Sequence, residues 1–152
     1  MTPPPVSRRT LLAAALACPL PLLWSRLARA TPSQAQALIA GLRQGATLLS
    51  SSLILLEAPE LAENGNTVPF GITVDSPMTA DDHLQRLHIV SEVNPLPEIA
   101  TIHVTPALGV AQVRTRIRLA ATQTVLVVAV FSGQRVAVAG REVKVTIGGC
   151  GG

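Results

Sequence analysis

The chain has 152 residues and a formal net charge of +3, from 12 basic and 9 acidic residues. Four of the basic residues, Arg8, Arg9, Arg26 and Arg29, lie in the first thirty positions, so the rest of the chain has 8 basic against 9 acidic residues. Such a near-neutral remainder lacks the clustered positive charge that nucleic-acid binding requires. Its length suits one domain and excludes two ordinary cores.

The N-terminus has the pattern of an export signal. Arg8 and Arg9 stand in the twin-arginine pattern of residues 7–12, an apolar run continues to Trp24, and Ala28-Arg29-Ala30 is a small-residue exit. We therefore predict that residues 1–30 are a twin-arginine signal peptide that delivers the protein to the periplasm. The apolar run is shorter than the roughly 20 residues that span a membrane, so no membrane association is expected after cleavage.

The first element predicted after the signal is an amphipathic helix from Ser33 to Gln44. Ser33 can cap its start, Gly45 stops it, and its apolar face consists of Leu38, Ile39 and Leu42. The next stretch, Ala46 to Glu57, is apolar and fits either a strand or a loop. Residues 59–66 are predicted to be a connection with an Asn64-Gly65 turn.

From residue 67 onward, β-branched runs recur between breakers at intervals of about ten residues, as in small antiparallel sandwiches. Gly133-Gln134 is predicted to form a hairpin turn between the last two runs. The sequence thus predicts a mainly antiparallel β-sandwich over residues 31–147, with a short leading helix. The six predicted strands are Thr67–Val74, Leu84–Glu92, Glu98–Thr105, Gln112–Leu119, Thr124–Ser132 and Gln134–Ile147.

The C-terminus combines glycine with a single cysteine. The last predicted strand stops at Gly148-Gly149-Cys150-Gly151-Gly152, which holds four of the eleven glycines of the chain. Glycine maximises backbone freedom, so residues 148–152 are predicted to be a flexible arm. The other cysteine, Cys18, leaves with the signal. Cys150 then stands alone in an oxidising compartment, where it forms an intermolecular bond or serves as a functional thiol.

Several roles for Cys150 are open from these residues alone. It can be incidental at a frayed terminus, act as a catalytic nucleophile, or join two sandwiches through a disulfide. Lowering the pKa of a cysteine from about 8.5 takes a nearby cation, metal or helix N-terminus, and its sequence neighbours supply none. This favours a thiol that a partner enzyme activates, as a covalent carrier requires.

Several segments between about Glu57 and the C-terminus match one known family in the same order. They are residues 59–69, Ser76-Pro77-Met78, Asn94-Pro95-Leu96-Pro97, residues 116–120 with Thr122-Gln123, and residues 143–152. Through these segments the chain resembles the SoxY family, the sulfur-carrier subunits of the bacterial thiosulfate-oxidising (Sox) system.

The resemblance implies an immunoglobulin-like sandwich that forms a heterodimer with a second small β-protein, SoxZ. It also implies that a c-type haem enzyme like SoxAX joins thiosulfate oxidatively to Cys150. A SoxB-like hydrolase then releases sulfate, and a SoxCD-like sulfane dehydrogenase oxidises the remaining sulfur. The carrier itself is not an enzyme and needs no cofactor beyond its covalent sulfur adduct. Gly148, Gly149, Gly151 and Gly152 match the family's carrier arm.

Two other sets of residues are candidates for a binding site or a metal site. Arg114, Arg116 and Arg118 share one face of a predicted strand, which indicates a solvated sheet face more than a site for the anionic cargo or for an acidic partner surface. The three histidines, His83, His88 and His103, lack the close spacing of a zinc site, so no metal is expected.

Overall fold

The structure is a computed structural model that describes residues 32–148. One helix, α1, and nine strands, β1 to β9, lie in this part of the chain. The predicted signal peptide and arm residues Gly149–Gly152 fall outside the described residues. The bounds are α1 Pro32–Arg43, β1 Thr47–Leu48, β2 Ile54–Glu57, β3 Leu61–Asn64, β4 Val68–Val74, β5 Leu84–Ser91, β6 Glu98–His103, β7 Gln112–Ile117, β8 Gln123–Phe131 and β9 Arg135–Ile147.

The strands form two sheets that pack face to face. The larger sheet has the order β1-β9-β8-β5-β6, with β3 added beside β9, and the smaller sheet has the order β2-β4-β7. All pairs are antiparallel except β1 with β9 and β3 with β9, which are parallel. The predicted fold class, a mainly β, immunoglobulin-like antiparallel sandwich with a short N-terminal helix, is confirmed.

The main core lies between the two sheets and follows from the period-two alternation of the strands. Alternate residues of β4, beginning with Val68 and Phe70, are buried against alternate residues of β5 and β8, such as Leu87 and Val127. Fully burying a Val, Leu or Phe side chain stabilises the fold by about 1.5–3 kcal/mol. Aliphatic side chains can therefore supply a core in a chain with only two Phe, one Trp and no Tyr.

Helix α1 covers the outer face of the larger sheet. Ala35 and Ile39 of α1 form a second buried cluster with Val90, Val128 and Val136 of the sheet. This cover explains why β8 is apolar on both faces. The helix begins at Pro32, one residue before its predicted start, and Gly45 follows its end with φ of +74°, a value that favours glycine. No helix within residues 32–148 is long and apolar enough to cross a membrane.

The six predicted strands all exist, and none of their ends differs from the prediction by more than two residues. The hairpin turn between β8 and β9 is confirmed, since Gly133 and Gln134 have φ of 70° and 54°. Residues 46–57, left open between strand and loop, contain β1, a turn of 3₁₀ helix at Ser51–Leu53, and β2.

The prediction that residues 59–66 form a connection is wrong for residues 61–64. Residues Leu61–Asn64 form β3, which runs parallel to the end of β9. The strand is short, and only Ala62 is buried, so it lacks the alternation that identifies strands in a sequence. The turn that follows it was predicted, and there the Asn66 N–H donates to Asn64 Oδ1 at 2.8 Å.

A polar cluster on the outer face of the larger sheet joins β5 to β6. His88 is buried, and its Nδ1 donates to Glu98 Oε1 at 2.9 Å. The Thr101 hydroxyl donates to the same carboxylate. These two hydrogen bonds, first from His88 and then from Thr101, lower the pKa of Glu98 below its ordinary value.

Because its folded-state pKa is lowered, the Glu98 carboxylate contributes stability at pH values above the unfolded-state pKa. That contribution is lost as pH falls through the folded-state pKa. We predict that the difference in unfolding free energy between the wild type and Glu98→Gln is present at pH 7 and shrinks steadily below about pH 4.5. Urea denaturation at each pH measures it. Glu142→Gln, at an exposed position, is the control, and a difference that does not change with pH would contradict the prediction.

Candidate functional site

The described residues end at the base of the predicted arm, so the structure bears on how the arm leaves the fold. Cys150, Gly149, Gly151 and Gly152 lie outside the described residues. Gly148 is described and directly follows β9, which ends at Ile147 as predicted.

The end of β9 is held at both of its edges. On one edge, β3 runs parallel to it, with Leu61 opposite Lys144 and Asn64 opposite Ile147. The Lys144 N–H donates to Glu60 O at 2.9 Å, and the Gly65 N–H donates to Ile147 O at 2.7 Å. On the other edge, past the last β8 pair, the Val145 N–H donates to Thr122 Oγ1 at 2.9 Å. Both edges of the last residues of β9 are thereby occupied.

Gly148 packs directly against the loop that precedes β8. A Cβ atom added to Gly148 would lie 2.0 Å from Ala120 O and 3.0 Å from the Ala120 carbonyl carbon. Both neighbours are backbone atoms, so no side-chain rotation could relieve the clash. The sequence predicted Gly148 as a source of flexibility, and the structure adds a steric requirement: only glycine allows this close approach.

The loop beneath Gly148 is fixed by three buried polar side chains: Ser91, Asn94 and Gln123. Asn94 Nδ2 donates to Arg118 O at 2.8 Å, and the Ala120 N–H donates to Asn94 Oδ1 at 2.9 Å. Gln123 Nε2 donates to the same oxygen at 3.0 Å.

The side of Asn94 facing away from the loop is held as well. The Asn94 N–H donates to Ser91 Oγ at 2.8 Å, and the Ser91 hydroxyl donates to Gln123 Oε1. A network whose members are all satisfied fixes a single geometry in a low-dielectric interior. Asn94 therefore links β5, the loop at residues 118–122 and, through Ala120, the base of the arm.

Sequence reasoning missed Asn94 and Gln123. In the sequence, the two prolines of the Asn94–Pro97 segment predict a rigid connection, and nothing there points to a structural role for Asn94. The available signal was that both Asn94-Pro95 and Thr122-Gln123 carry the family resemblance. Nothing in spacing or periodicity shows that these two segments meet.

The three arginines lie at the exposed edge of the smaller sheet. Arg114 and Arg116 belong to β7, whereas Arg118 lies beyond its end, and all three are exposed. Arg114 Nη2 is 3.8 Å from Glu57 Oε2, and both side chains are more than half exposed, so this pair contributes little to stability. Their exposure agrees with a solvated face and leaves them accessible to a partner.

The histidines occupy separate places. His88 belongs to the cluster with Glu98, and His103 is exposed on β6. Among residues 32–148, no three His, Cys, Asp or Glu side chains are grouped as a metal site needs.

A comparison with family models and a comparison with solved structures both lead to the same family. The model of the family "Sulfur oxidation protein SoxY" matches residues 40–150. The sulfur carrier protein SoxY from Chlorobium limicola f thiosulfatophilum is 32% identical, with a TM-score of 0.62, over 77% of this chain and 100% of that chain. A search of curated protein sequences found no match.

A second group of solved structures shares the fold alone. Superoxide reductase (neelaredoxin) from Ignicoccus hospitalis is 17% identical, with a TM-score of 0.53, over 80% of this chain and 98% of that chain. A variant of the same reductase gives a TM-score of 0.54 at 17% identity, over 76% of this chain and 92% of the variant.

The fold and the base of the arm define a small immunoglobulin-like sandwich protein that presents its C-terminal segment from a strand held at both edges. The chain belongs to the SoxY family of sulfur oxidation proteins. Membership of this family supports a sulfur-carrier role in sulfur oxidation.

Replacing Gly148 with alanine tests the steric requirement. We predict that Gly148→Ala pushes the end of β9 away from Ala120 and lowers the free energy of unfolding by about 1–3 kcal/mol. Hydrogen exchange at the amides of Lys144 and Val145, which donate to Glu60 O and Thr122 Oγ1, should accelerate. Gly41→Ala is the control, because a Cβ there meets nothing within 4 Å. Stability and exchange equal to those of the wild type would show that Gly148 does not need to be glycine for packing.

Replacing Asn94 with alanine tests the buried network. The change leaves the Ala120 N–H, the Arg118 carbonyl and Gln123 Nε2 without their Asn94 partner, so we expect a loss of about 2–4 kcal/mol in unfolding free energy. Chemical denaturation measures it. Asn66→Ala removes the same side chain at an exposed position and should stay within about 0.5 kcal/mol of the wild type. Equal effects of the two substitutions would count against an anchoring role for Asn94.

Proposed function

We propose that this protein is the covalent sulfur carrier of periplasmic thiosulfate oxidation, with Cys150 as the attachment site. The observation that carries the proposal is the fixed end of β9, followed in a SoxY family sequence by Gly148-Gly149-Cys150-Gly151-Gly152. A rigid base with a short glycine arm suits a thiol that must enter the active sites of other proteins. Glycines on both sides of Cys150 place no side chain in the way of an approaching enzyme.

The proposed loading step forms a disulfide bond between Cys150 and thiosulfate. The Cys150 thiolate sulfur bonds to the outer sulfur of thiosulfate, giving a Cys–S–S–sulfonate, and two electrons pass, one at a time, through the ferric haem of a c-type haem enzyme like SoxAX to that enzyme's own electron acceptor. The thiol proton is released to solvent. The haem enzyme is thus the oxidant, and the carrier supplies only the sulfur nucleophile and its position.

The proposed unloading begins with hydrolysis. Water attacks the sulfonate sulfur and breaks its bond to the neighbouring sulfur, so that sulfate and protons leave and a persulfide anion remains on Cys150. A SoxB-like hydrolase performs this step, and a SoxCD-like sulfane dehydrogenase oxidises the remaining sulfur. On this proposal the carrier has no catalytic residue and binds no cofactor other than its cargo.

The twin-arginine pattern of residues 7–12 supports a periplasmic location, because it is an export signal. Since the twin-arginine route exports proteins that have already folded, the pattern also supports folding with a partner before export. We include in the proposal a heterodimer with a SoxZ-like subunit.

The intact mass of the mature chain tests the proposal. Protein from cells grown on thiosulfate should carry adducts with the mass of thiosulfate or of added sulfur atoms, and a reductant should remove them. The control is Cys150→Ser, which should carry none. A bare thiol, or only a homodimer linked through Cys150, would reject the carrier role, and turnover by the isolated protein would indicate a catalytic thiol instead.

A further inference from the structure

One side of the sandwich is open between two edge strands. In residues 32–148, β6 pairs only with β5 and β7 pairs only with β4, so each ends its sheet. Between these edges lies a groove of about 510 Å³ with a largely apolar wall. The half-buried Ile99, Ala100 and Ile102 of β6 form one side of it, and Leu96, 72% exposed, lies at its rim.

The free edge of β7 presents backbone groups to this groove. In an antiparallel pair, every second residue forms hydrogen bonds with the partner strand, and the residues between them point their N–H and C=O groups away. The Val74 N–H donates to Ala111 O, so residues 111, 113, 115 and 117 face β4. The backbone groups of Arg114 and Arg116 therefore point outward from the sheet, as do those of Gln112, whose N–H already donates to Val110 O at 3.0 Å. No strand of the described residues pairs with them.

The side chains of this edge carry positive charge. Arg114 and Arg116 lie on the outer face of the smaller sheet, and Arg118 follows the strand. Within residues 32–148, Glu57 is the one carboxylate within 4 Å of the three guanidinium groups, at 3.8 Å from Arg114. Glu98 of β6 also lines the groove, and its carboxylate accepts hydrogen bonds from His88 and Thr101. Charged side chains of one sign on an edge strand disfavour self-pairing and favour a strand of opposite charge.

We propose that β7 docks an extended strand of a partner protein in which apolar and acidic residues alternate. Residues directly opposite each other in a sheet point to the same face, so partner residues opposite Arg114 and Arg116 meet the guanidinium groups. The residues between them point into the groove and cover Ile99 and Ile102. Strand addition to an open edge is a known mode of recognition, with affinity from backbone hydrogen bonds and specificity from alternate side chains.

A second copy of this chain does not fit as the occupant. The nine acidic residues of the sequence are Glu57, Glu60, Glu63, Asp75, Asp81, Asp82, Glu92, Glu98 and Glu142, and no two of them are two positions apart. The chain therefore lacks a strand that could oppose both Arg114 and Arg116 with acids. The occupant is a different protein.

The docked strand lies near the base of the arm. Beyond the end of β7 the chain passes through Arg118, whose carbonyl accepts from Asn94, to Ala120, against which Gly148 packs. A partner held at β7 is thus close to the point from which Cys150 extends. The docking itself requires neither the thiol nor its cargo, so it goes beyond the proposed carrier function.

The test is an NMR titration of the ¹⁵N-labelled mature protein with a backbone-cyclised β-hairpin peptide whose free edge alternates Val and Glu. We expect saturable shifts confined to residues 96–102 and 112–118, and slower hydrogen exchange at the Arg114 and Arg116 amides. The double variant Arg114→Glu with Arg116→Glu should weaken binding by about tenfold or more. Arg86→Glu, the same substitution at one exposed position on the other sheet, should leave binding unchanged.

A matched hairpin with Lys in place of Glu should not bind. Absence of saturable shifts, shifts elsewhere on the molecule, or equal binding by the lysine hairpin or the double variant would overturn the proposal. The variant Cys150→Ser separates this result from the carrier function, because it should bind the hairpin as the wild type does. The result of the hairpin titration is therefore independent of whether Cys150 carries sulfur.

Discussion

The whole arrangement depends on the continuity of one strand. β9 pairs with β8 from Arg135 to Val143 and completes the larger sheet there. Its last four residues pass beyond β8 and are held by β3 and by Thr122. The same strand is therefore part of the hydrophobic core at one end and the base of the arm at the other. Two different sets of contacts were needed, because a strand end with a free edge frays.

Buried polarity here has a positional role. Burying the polar side chains of Ser91, Asn94 and Gln123 carries an unfavourable desolvation free energy. Three apolar side chains at these positions would avoid it. What the polar groups provide is a fixed path for residues 118–122, whose backbone carries no regular pairing of its own. The chemistry proposed for Cys150 needs no activating neighbour on this chain, so the fold's specific contacts serve placement, and reactivity is left to the partner enzymes.

The sequence predicted the larger part of the fold because the physical signals are local. Alternation located β4 to β9, and the amphipathic pattern of Leu38, Ile39 and Leu42 located α1. Sequence reasoning failed at β3, because its four residues show no alternation. Their strand structure is decided by pairing with β9, about eighty positions away in the sequence. The arm, Gly148 to Gly152, stays a prediction from its glycines and from the resemblance to the SoxY family. The contact between Gly148 and Ala120 could not be predicted, because close backbone approach leaves no trace in composition. The hydrogen bonds of Asn94 could not be predicted either, because its partners are distant in sequence.

In the carrier role proposed for Cys150, the contact at Gly148 would also limit how deep a partner's catalytic centre can lie. With Gly148 set against Ala120, only two residues extend the chain to the Cα of Cys150, a span of roughly 7 Å when fully extended. The side chain and its sulfur cargo add a few ångströms more. In that role, Cys150 could not reach a reaction centre at the bottom of a long tunnel unless the tunnel entrance fitted closely around the end of the sandwich. The length of the predicted arm would therefore select partners by the depth of their clefts.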